Sequence, residues 1–100
     1  MESIITKYRS CISCGATETI HHHHLLEGSK RALSDEDGLI VPLCAYHHNM
    51  SVRSVHLMPE LNKLSKIIGQ LAWERNYCAE GHTVDEAREA FRARYGKSYI

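Results

Sequence analysis

Residues 17–32 of the chain read TETIHHHHLLEGSKRA, and this stretch decides how the N-terminal half is organised. Four consecutive histidines stand between an isoleucine and two leucines, so residues 18–25 form a β-prone run. Gly28 then ends the run with a turn. A second β-prone run, LIVPL, occupies residues 39–43. Pro42 cannot donate a backbone hydrogen bond, which predicts that this second strand is short or lies at a sheet edge.

The second half of the chain carries helical periodicity. One helix is predicted to begin at Pro59, because proline is favoured at the first helical position. Another begins at Thr83, since Glu86 three residues later completes a capping-box pattern, and Gly96 ends it. A short helix is also expected directly after the second strand. The stripes expected to face the core are Leu61, Leu64, Ile68 and Leu71 in the first long helix and Ala87, Ala90, Phe91 and Tyr95 in the second.

The composition is that of a globular chain without net charge. One hundred residues predict a single domain, 1–100, with a small core. Twelve basic residues balance twelve acidic ones, which argues against a strongly basic arm. Residues 51–100 nevertheless hold eight Lys and Arg against six Asp and Glu, so any DNA contact is expected there. No secretory signal or transmembrane run is visible, and we expect a cytoplasmic protein without membrane contact.

Two pairs of residues have the spacing of zinc knuckles. Two residues separate Cys11 from Cys14, and two separate Cys44 from His47. This gap lets both side chains of a pair reach one ion, and two such pairs complete a tetrahedral Cys3His site. In a chain without a secretory signal the spacing favours metal over disulfides, so we predict a structural Zn²⁺. Cys78 is expected to be an ordinary thiol outside this site.

The remaining histidines predict a second metal site. The histidine run lies on the first strand, which must pair with the second strand. The zinc knuckle at the end of the second strand would hold His48 at the start of the short helix. Two histidines of the run and His48 can therefore converge on one ion. Strand geometry alone leaves open which members of the run take part.

The order of these motifs resembles the HNH nuclease family, in particular the small HNH proteins encoded by bacteriophages, which share a ββα-metal core. The similarity rests on HHLLEGSKRALSDEDGL at residues 23–39 and LCAYHHN at residues 43–49, and on the downstream QLAWE and EAFRARYGKSYI. It extends over about residues 8–100. The resemblance implies an α+β fold, with a zinc knuckle and ββα-metal core over about residues 8–56. Two C-terminal helices would follow over about residues 57–100.

The resemblance also implies an activity, the metal-dependent hydrolysis of DNA phosphodiester bonds by an endonuclease. In this interpretation His24 is the general base that activates water, and His23 is a ligand of a catalytic divalent ion. His21 and His22 would be solvated or packed in the strand. The spacing to the turn at Gly28 favours this choice of pair.

The same resemblance implies the other ligands of the catalytic ion. His48 would bind it from the short helix, and His56 is a candidate further ligand. A histidine-rich site accepts Mn²⁺, Ni²⁺ or Zn²⁺ as well as Mg²⁺, so the identity of the ion stays open.

Basic side chains outside the histidine run are candidate DNA contacts. Arg31 can grip a phosphate through two N–H groups, although a solvated loop arginine explains it equally well. Lys63 and Lys66 of the first long helix are candidate contacts to the phosphate backbone. Four further basic residues could extend this surface, and a solvated helix face is the alternative for all six. The four further residues are Arg88, Arg92, Arg94 and Lys97.

One departure from the family pattern keeps a second function open. Gly38 stands near the place of the family's middle asparagine, and it has no side chain to orient the loop or the catalytic histidine. The alternative is a catalytically inactive HNH-scaffold zinc module that binds DNA or protein. If the chain is phage-encoded, host or phage proteins are the candidate partners, in the host bacterial cytoplasm. A histidine-rich metal-handling protein is a third interpretation.

Overall fold

The structure is a computed structural model that describes residues 3–48, 55 and 57–100. It has the α+β composition predicted from the sequence, with a two-stranded sheet, two short helices and two longer ones. In chain order the elements are β1 (Ile20–His24), a 3-10 turn (Gly28–Lys30), α1 (Arg31–Glu36), β2 (Ile40–Cys44), α2 (Ala45–His48), α3 (Pro59–Ala79) and α4 (Val84–Tyr95). No helix in these described ranges is both long enough and apolar enough to cross a membrane.

β1 and β2 pair as an antiparallel hairpin whose register sets His23 opposite Val41. Side chains alternate between the two faces of a strand, so His21 and His23 share one face. His22 and His24 lie on the other. The sheet therefore divides the histidine run into two pairs, one on each face.

The N-terminal segment runs along the edge of β2 that faces away from β1. The amide of Ile4 donates to the carbonyl of Gly38, and the amide of Ile12 donates to the carbonyl of Pro42, both at 2.9 Å. The N–H and C=O of one strand residue point to the same side, so the donor that Pro42 lacks faces away from β1. The sheet loses no ladder bond at the proline, and the N-terminal segment brings Cys11 to the end of β2.

The helix predictions are confirmed at their ends. Pro59 begins α3, and Thr83 caps α4 in a reciprocal capping box with Glu86. Gly96 has a φ of 86°, a left-handed conformation that disfavours a side chain, and it ends α4. The short helix α2 follows β2 directly, as expected.

α4 contributes the predicted stripe to the core. Ala87, Phe91 and Tyr95 are fully buried, and Ala90 lies at the margin of the core. Phe91 and Tyr95 join one apolar cluster with residues of the hairpin and its flanks. The cluster contains Cys11, Leu25, Leu26, Leu39, Val41, Leu43, Cys44 and Val55.

The prediction for α3 is wrong for three of its four residues. Leu64, Ile68 and Leu71 keep 48%, 40% and 50% of their surface exposed, and only Leu61 packs against the core. The buried side of the helix instead carries Ser65, Gly69, Gln70 and Glu74. Ser65 and Gly69 contact the hairpin and the residues that follow β1, while Gln70 and Glu74 bond to the C-terminal segment and to α4. Hydrophobic periodicity therefore indicated a helix correctly but assigned the wrong face to the core.

Candidate metal centre

The four predicted zinc ligands lie together where β2 passes into α2. Cys44 ends β2 and His47 lies in α2, while Cys11 and Cys14 come from the N-terminal segment. One ligand atom of each residue lies within 4.8 Å of the others. Among the residues that the structure describes, this is the only such group of three or more candidate ligands. The prediction that these residues form one Cys3His group is confirmed.

The distances between the ligand atoms suit a tetrahedral metal. The Sγ atoms of Cys14 and Cys44 are 3.8 Å apart, and Cys11 Sγ is 3.9 Å from His47 Nδ1. Cys44 Sγ is 3.2 Å from the same nitrogen. Zn–S bonds of about 2.3 Å at tetrahedral angles separate two sulfurs by about 3.8 Å. All the cysteines are free thiols, so this group could hold an ion such as Zn²⁺.

The electrostatics of the two N-terminal thiols differ. Burial raises the pKa of Cys11, but hydrogen bonds from the backbone of Cys44, Cys14 and Ser13 outweigh it and lower the pKa to about 6. The backbone of Ala16 lowers the pKa of Cys14, whereas desolvation and the adjacent sulfurs raise it, with a net upward shift. The thiolate is the form that binds metal, so Cys11 is prepared as a ligand and Cys14 would lose its proton on binding.

A second group of imidazoles lies on the face of β1 that carries His21 and His23. The Nδ1 atoms of His21 and His48 are 2.8 Å apart. The rings of His23 and His48 contact each other with centroids 5.4 Å apart. His48 thus contacts β1 from the last position of α2, whereas the sequence predicted it at the start of this helix. The sequence had assigned His21 no role, although strand alternation places it on the same face as His23.

His23 is held by a buried hydrogen-bond chain. Its side chain is 1% exposed, and its Nε2 lies 2.9 Å from the hydroxyl of Ser65. The same hydroxyl donates to the carbonyl of Leu25 at 3.3 Å. A hydrogen bond at one ring nitrogen fixes the orientation of an imidazole, as it does in many metal-binding histidines.

His24 lies on the opposite face of β1 and contacts α1. Its Nε2 is 2.9 Å from a carboxylate oxygen of Asp35, and the His24 side chain is 15% exposed. A carboxylate that accepts the Nε2 proton leaves Nδ1 as the nitrogen that can accept another proton. No sequence signal pointed to Asp35, because its contact with His24 depends on how α1 folds back onto the hairpin.

The other predicted site residues are dispersed. His22 is exposed on β1, Arg31 is exposed at the start of α1, and His56 lies outside the described residues. His82 is exposed and stacks on Tyr77, with ring centroids 4.0 Å apart. Three arginines that were candidates for the DNA-binding surface form ion pairs. The pairs are Arg88–Glu74, Arg92–Glu89 and Arg94–Asp37.

Lys63 and Lys66 line a cleft of about 640 Å³ together with Lys97 and Tyr99. The ammonium groups of Lys66 and Lys97 lie 6.0 and 5.1 Å from the centre of the Tyr99 ring. Glu27 is the one acidic residue among the described lining residues, and its carboxylate accepts a hydrogen bond from Asn62. The cleft is therefore basic, with an aromatic ring between two lysines.

No protein-family model, curated protein or solved structure matches this chain. The HNH resemblance therefore rests on the sequence motifs alone and stays a prediction. The Cys3His group is compatible with a nuclease and with a binding module.

Proposed function

We propose that the protein is a zinc-stabilised, metal-dependent endonuclease with an HNH-type ββα-metal core that hydrolyses DNA phosphodiester bonds. The observation that carries this proposal is the placement of three imidazoles where α2 contacts β1. They belong to His21, His23 and His48. A fourth imidazole, that of His24, is oriented by a carboxylate at the end of the same strand. A structural zinc site alone would need none of these contacts.

The imidazoles suit a divalent ion as ligands. Two nitrogens on adjacent positions of an octahedral ion with bonds of about 2.1 Å lie about 3 Å apart, close to the 2.8 Å between His21 and His48. His23 lies on the same face of β1 as His21, and its ring contacts that of His48. When bound, Mg²⁺, Mn²⁺, Ni²⁺ or Zn²⁺ supplies Lewis-acid stabilisation of the phosphate and the leaving oxygen. His21 thereby joins His23 and His48 in the proposed site.

His24 is the proposed general base. Asp35 accepts the Nε2 proton of His24 and holds the ring, so Nδ1 takes the proton of the attacking water. β1 ends at His24, whose side chain is 15% exposed, so a phosphate at this end of the strand can approach its ring. Asp35 is a positioning residue because it acts through His24.

The basic cleft is the proposed path for the rest of the DNA. Lys63, Lys66 and Lys97 provide positive charge for the phosphate backbone, and Tyr99 offers a ring for base stacking. Lys66 follows Ser65 in α3, and Ser65 contacts His23, so the cleft begins next to the residue that holds a proposed metal ligand.

A plasmid-nicking assay with Mg²⁺, Mn²⁺, Ni²⁺ and Zn²⁺ in turn tests the proposal. We expect His24→Ala to lower the cleavage rate by at least about 100-fold without weakening metal binding, because it removes the base. His21→Ala and His48→Ala should weaken metal affinity, with activity partly restored by excess ion. His22→Ala, the exposed neighbour on β1, is the matched control and should cleave normally.

Asp35→Asn separates a positioning role from a structural one. It should lower the cleavage rate and move the pH–rate profile while leaving the melting temperature nearly unchanged. If the folded wild-type protein cuts no DNA with any of the four ions, the nuclease proposal fails. The inactive HNH-scaffold zinc module that binds DNA or protein then becomes the better explanation.

A further inference from the structure

Three large apolar side chains form an exposed ridge on α3. Leu64, Ile68 and Leu71, called the α3 ridge below, keep 48%, 40% and 50% of their surface exposed. They recur at spacings of four and three along a helix of 21 residues. The opposite side of α3 packs against the hairpin and α4, so the ridge does not belong to the core. Contiguous exposed apolar residues of this size indicate a contact surface.

A groove accompanies the ridge on each side. On one side Ile12 lies beside Leu64 and Ile68 and is 50% exposed. On the other side Ile4 lies beside Ile68 and Leu71 and is 41% exposed. A ridge of helical side chains flanked by grooves is the shape by which one helix packs against another.

The charges on α3 indicate which helix fits. Glu60 lies four residues before Leu64, and Arg75 lies four residues after Leu71. Both are exposed, and within the described ranges neither forms an ion pair. The two leucines, Leu64 and Leu71, are thus equally far from a point between residues 67 and 68. Glu60 and Arg75 are also equally far from this point and carry opposite charges.

We propose that the protein forms a two-fold symmetric homodimer through antiparallel packing of α3 against α3 of a second copy. An axis between residues 67 and 68 places Leu64 opposite Leu71 of the second copy. The same axis places Glu60 opposite Arg75 of the second copy, and the symmetry creates each contact twice. A parallel arrangement would instead set Glu60 against Glu60 and Arg75 against Arg75. The charges of α3 are therefore complementary to those of a second α3 that runs in the opposite direction. For this reason a second copy of the chain is the partner that fits the α3 ridge.

Sedimentation equilibrium of the zinc-loaded, full-length chain tests the dimer over about 1–500 µM. We expect a concentration-dependent monomer–dimer equilibrium. Leu64→Glu should raise the dissociation constant by at least about tenfold, because it buries a carboxylate in the contact. Val84→Glu is the matched control, since Val84 is 66% exposed on α4, and its dissociation constant should equal that of the wild type.

Charge exchange tests the antiparallel axis itself. Glu60→Arg alone and Arg75→Glu alone should each weaken the dimer about tenfold or more, because both symmetric pairs become repulsive. The double variant Glu60→Arg/Arg75→Glu should restore wild-type association, since it recreates both pairs in reverse.

Three results would overturn the proposal. The wild-type chain could stay monomeric over the whole range, or the double variant could associate no better than the single variants. Leu64→Glu could also lower the melting temperature of the monomer by many degrees, which would show that the chain's own residues cover the ridge. Thermal unfolding of each variant, followed by circular dichroism at low concentration, separates that last outcome from dimer loss.

Discussion

At the scale of single residues, Asp37 connects several elements of the structure, although no sequence motif pointed to it. It follows α1, and its carboxylate accepts hydrogen bonds from Arg94 at 2.7 and 2.8 Å and from the indole of Trp73 at 3.0 Å. The hydroxyl of Tyr95 donates to the same carboxylate. Burial and this neighbouring negative charge raise the pKa of Tyr95, which therefore stays a donor. Asp37 thus joins the segment before β2 to both long helices.

Replacing Asp37 should destabilise the fold more than the replacement of a polar residue usually does. Asp37→Asn keeps the shape but removes the charge and half of the acceptor capacity, so donors on Arg94, Tyr95 and Trp73 lose their acceptor. We expect a loss of about 2 kcal/mol in unfolding free energy, or about 10 °C in melting temperature. Denaturant and thermal unfolding measure this. Glu36→Gln is the control, because Glu36 is 71% exposed and 3.6 Å from the same arginine.

Glu36→Gln should change the unfolding free energy by less than about 0.5 kcal/mol. Equal losses for the two variants would mean that the general negative charge before β2 stabilises the fold. The specific hydrogen bonds of Asp37 would then have no special importance.

At the scale of elements, the ends of α4 are set by local chemistry. The Thr83 hydroxyl accepts from the Glu86 amide at 3.1 Å, and the Thr83 amide donates to the Glu86 carboxylate at 2.8 Å. The bond from the Thr83 backbone lowers the pKa of Glu86, so the carboxylate stays charged in the first helical turn. Negative charge there also suits the helix dipole.

Loss of the cap should loosen α4 at its first turn. Thr83→Ala leaves the Glu86 amide without its acceptor, and we expect the unfolding free energy to fall by about 1 kcal/mol. Thr83→Ser keeps the hydroxyl and should remain within about 0.3 kcal/mol of the wild type. Urea denaturation of the three proteins decides the matter. A Thr83→Ser variant as unstable as Thr83→Ala would show that the threonine methyl group, rather than the cap, is important.

At the scale of the whole molecule, the Cys3His group ties the N-terminal segment to the hairpin. A core of this size leaves little stability in reserve, whereas a structural zinc site binds with an apparent free energy of about 10–16 kcal/mol. Protein purified without added metal should therefore contain about one equivalent of zinc. Cys44→Ser, or removal of the metal by a chelator, should unfold much of the chain as judged by circular dichroism.

Cys78→Ser provides the control for the loss of a thiol, because Cys78 lies on α3 away from the metal centre. This variant should keep both the zinc and the melting temperature of the wild type. A metal-free Cys44→Ser protein with the wild-type melting temperature would show that the fold does not depend on zinc.

The sequence by itself determined the features that depend on short-range chemistry. The two-residue gaps brought Cys11 to Cys14 and Cys44 to His47, and the proline, threonine and glycine signals located the helix ends, because neighbours in the chain stay neighbours in any fold. The need of one zinc ion for four ligands also predicted that the two pairs meet. The tertiary structure alone decided which other distant side chains meet. It placed His21 against His48 and Asp35 against His24, and it turned Leu64 and Leu71 outward. These contacts depend on how helices dock against the hairpin, and a periodic pattern carries no information about the partner that a face will find.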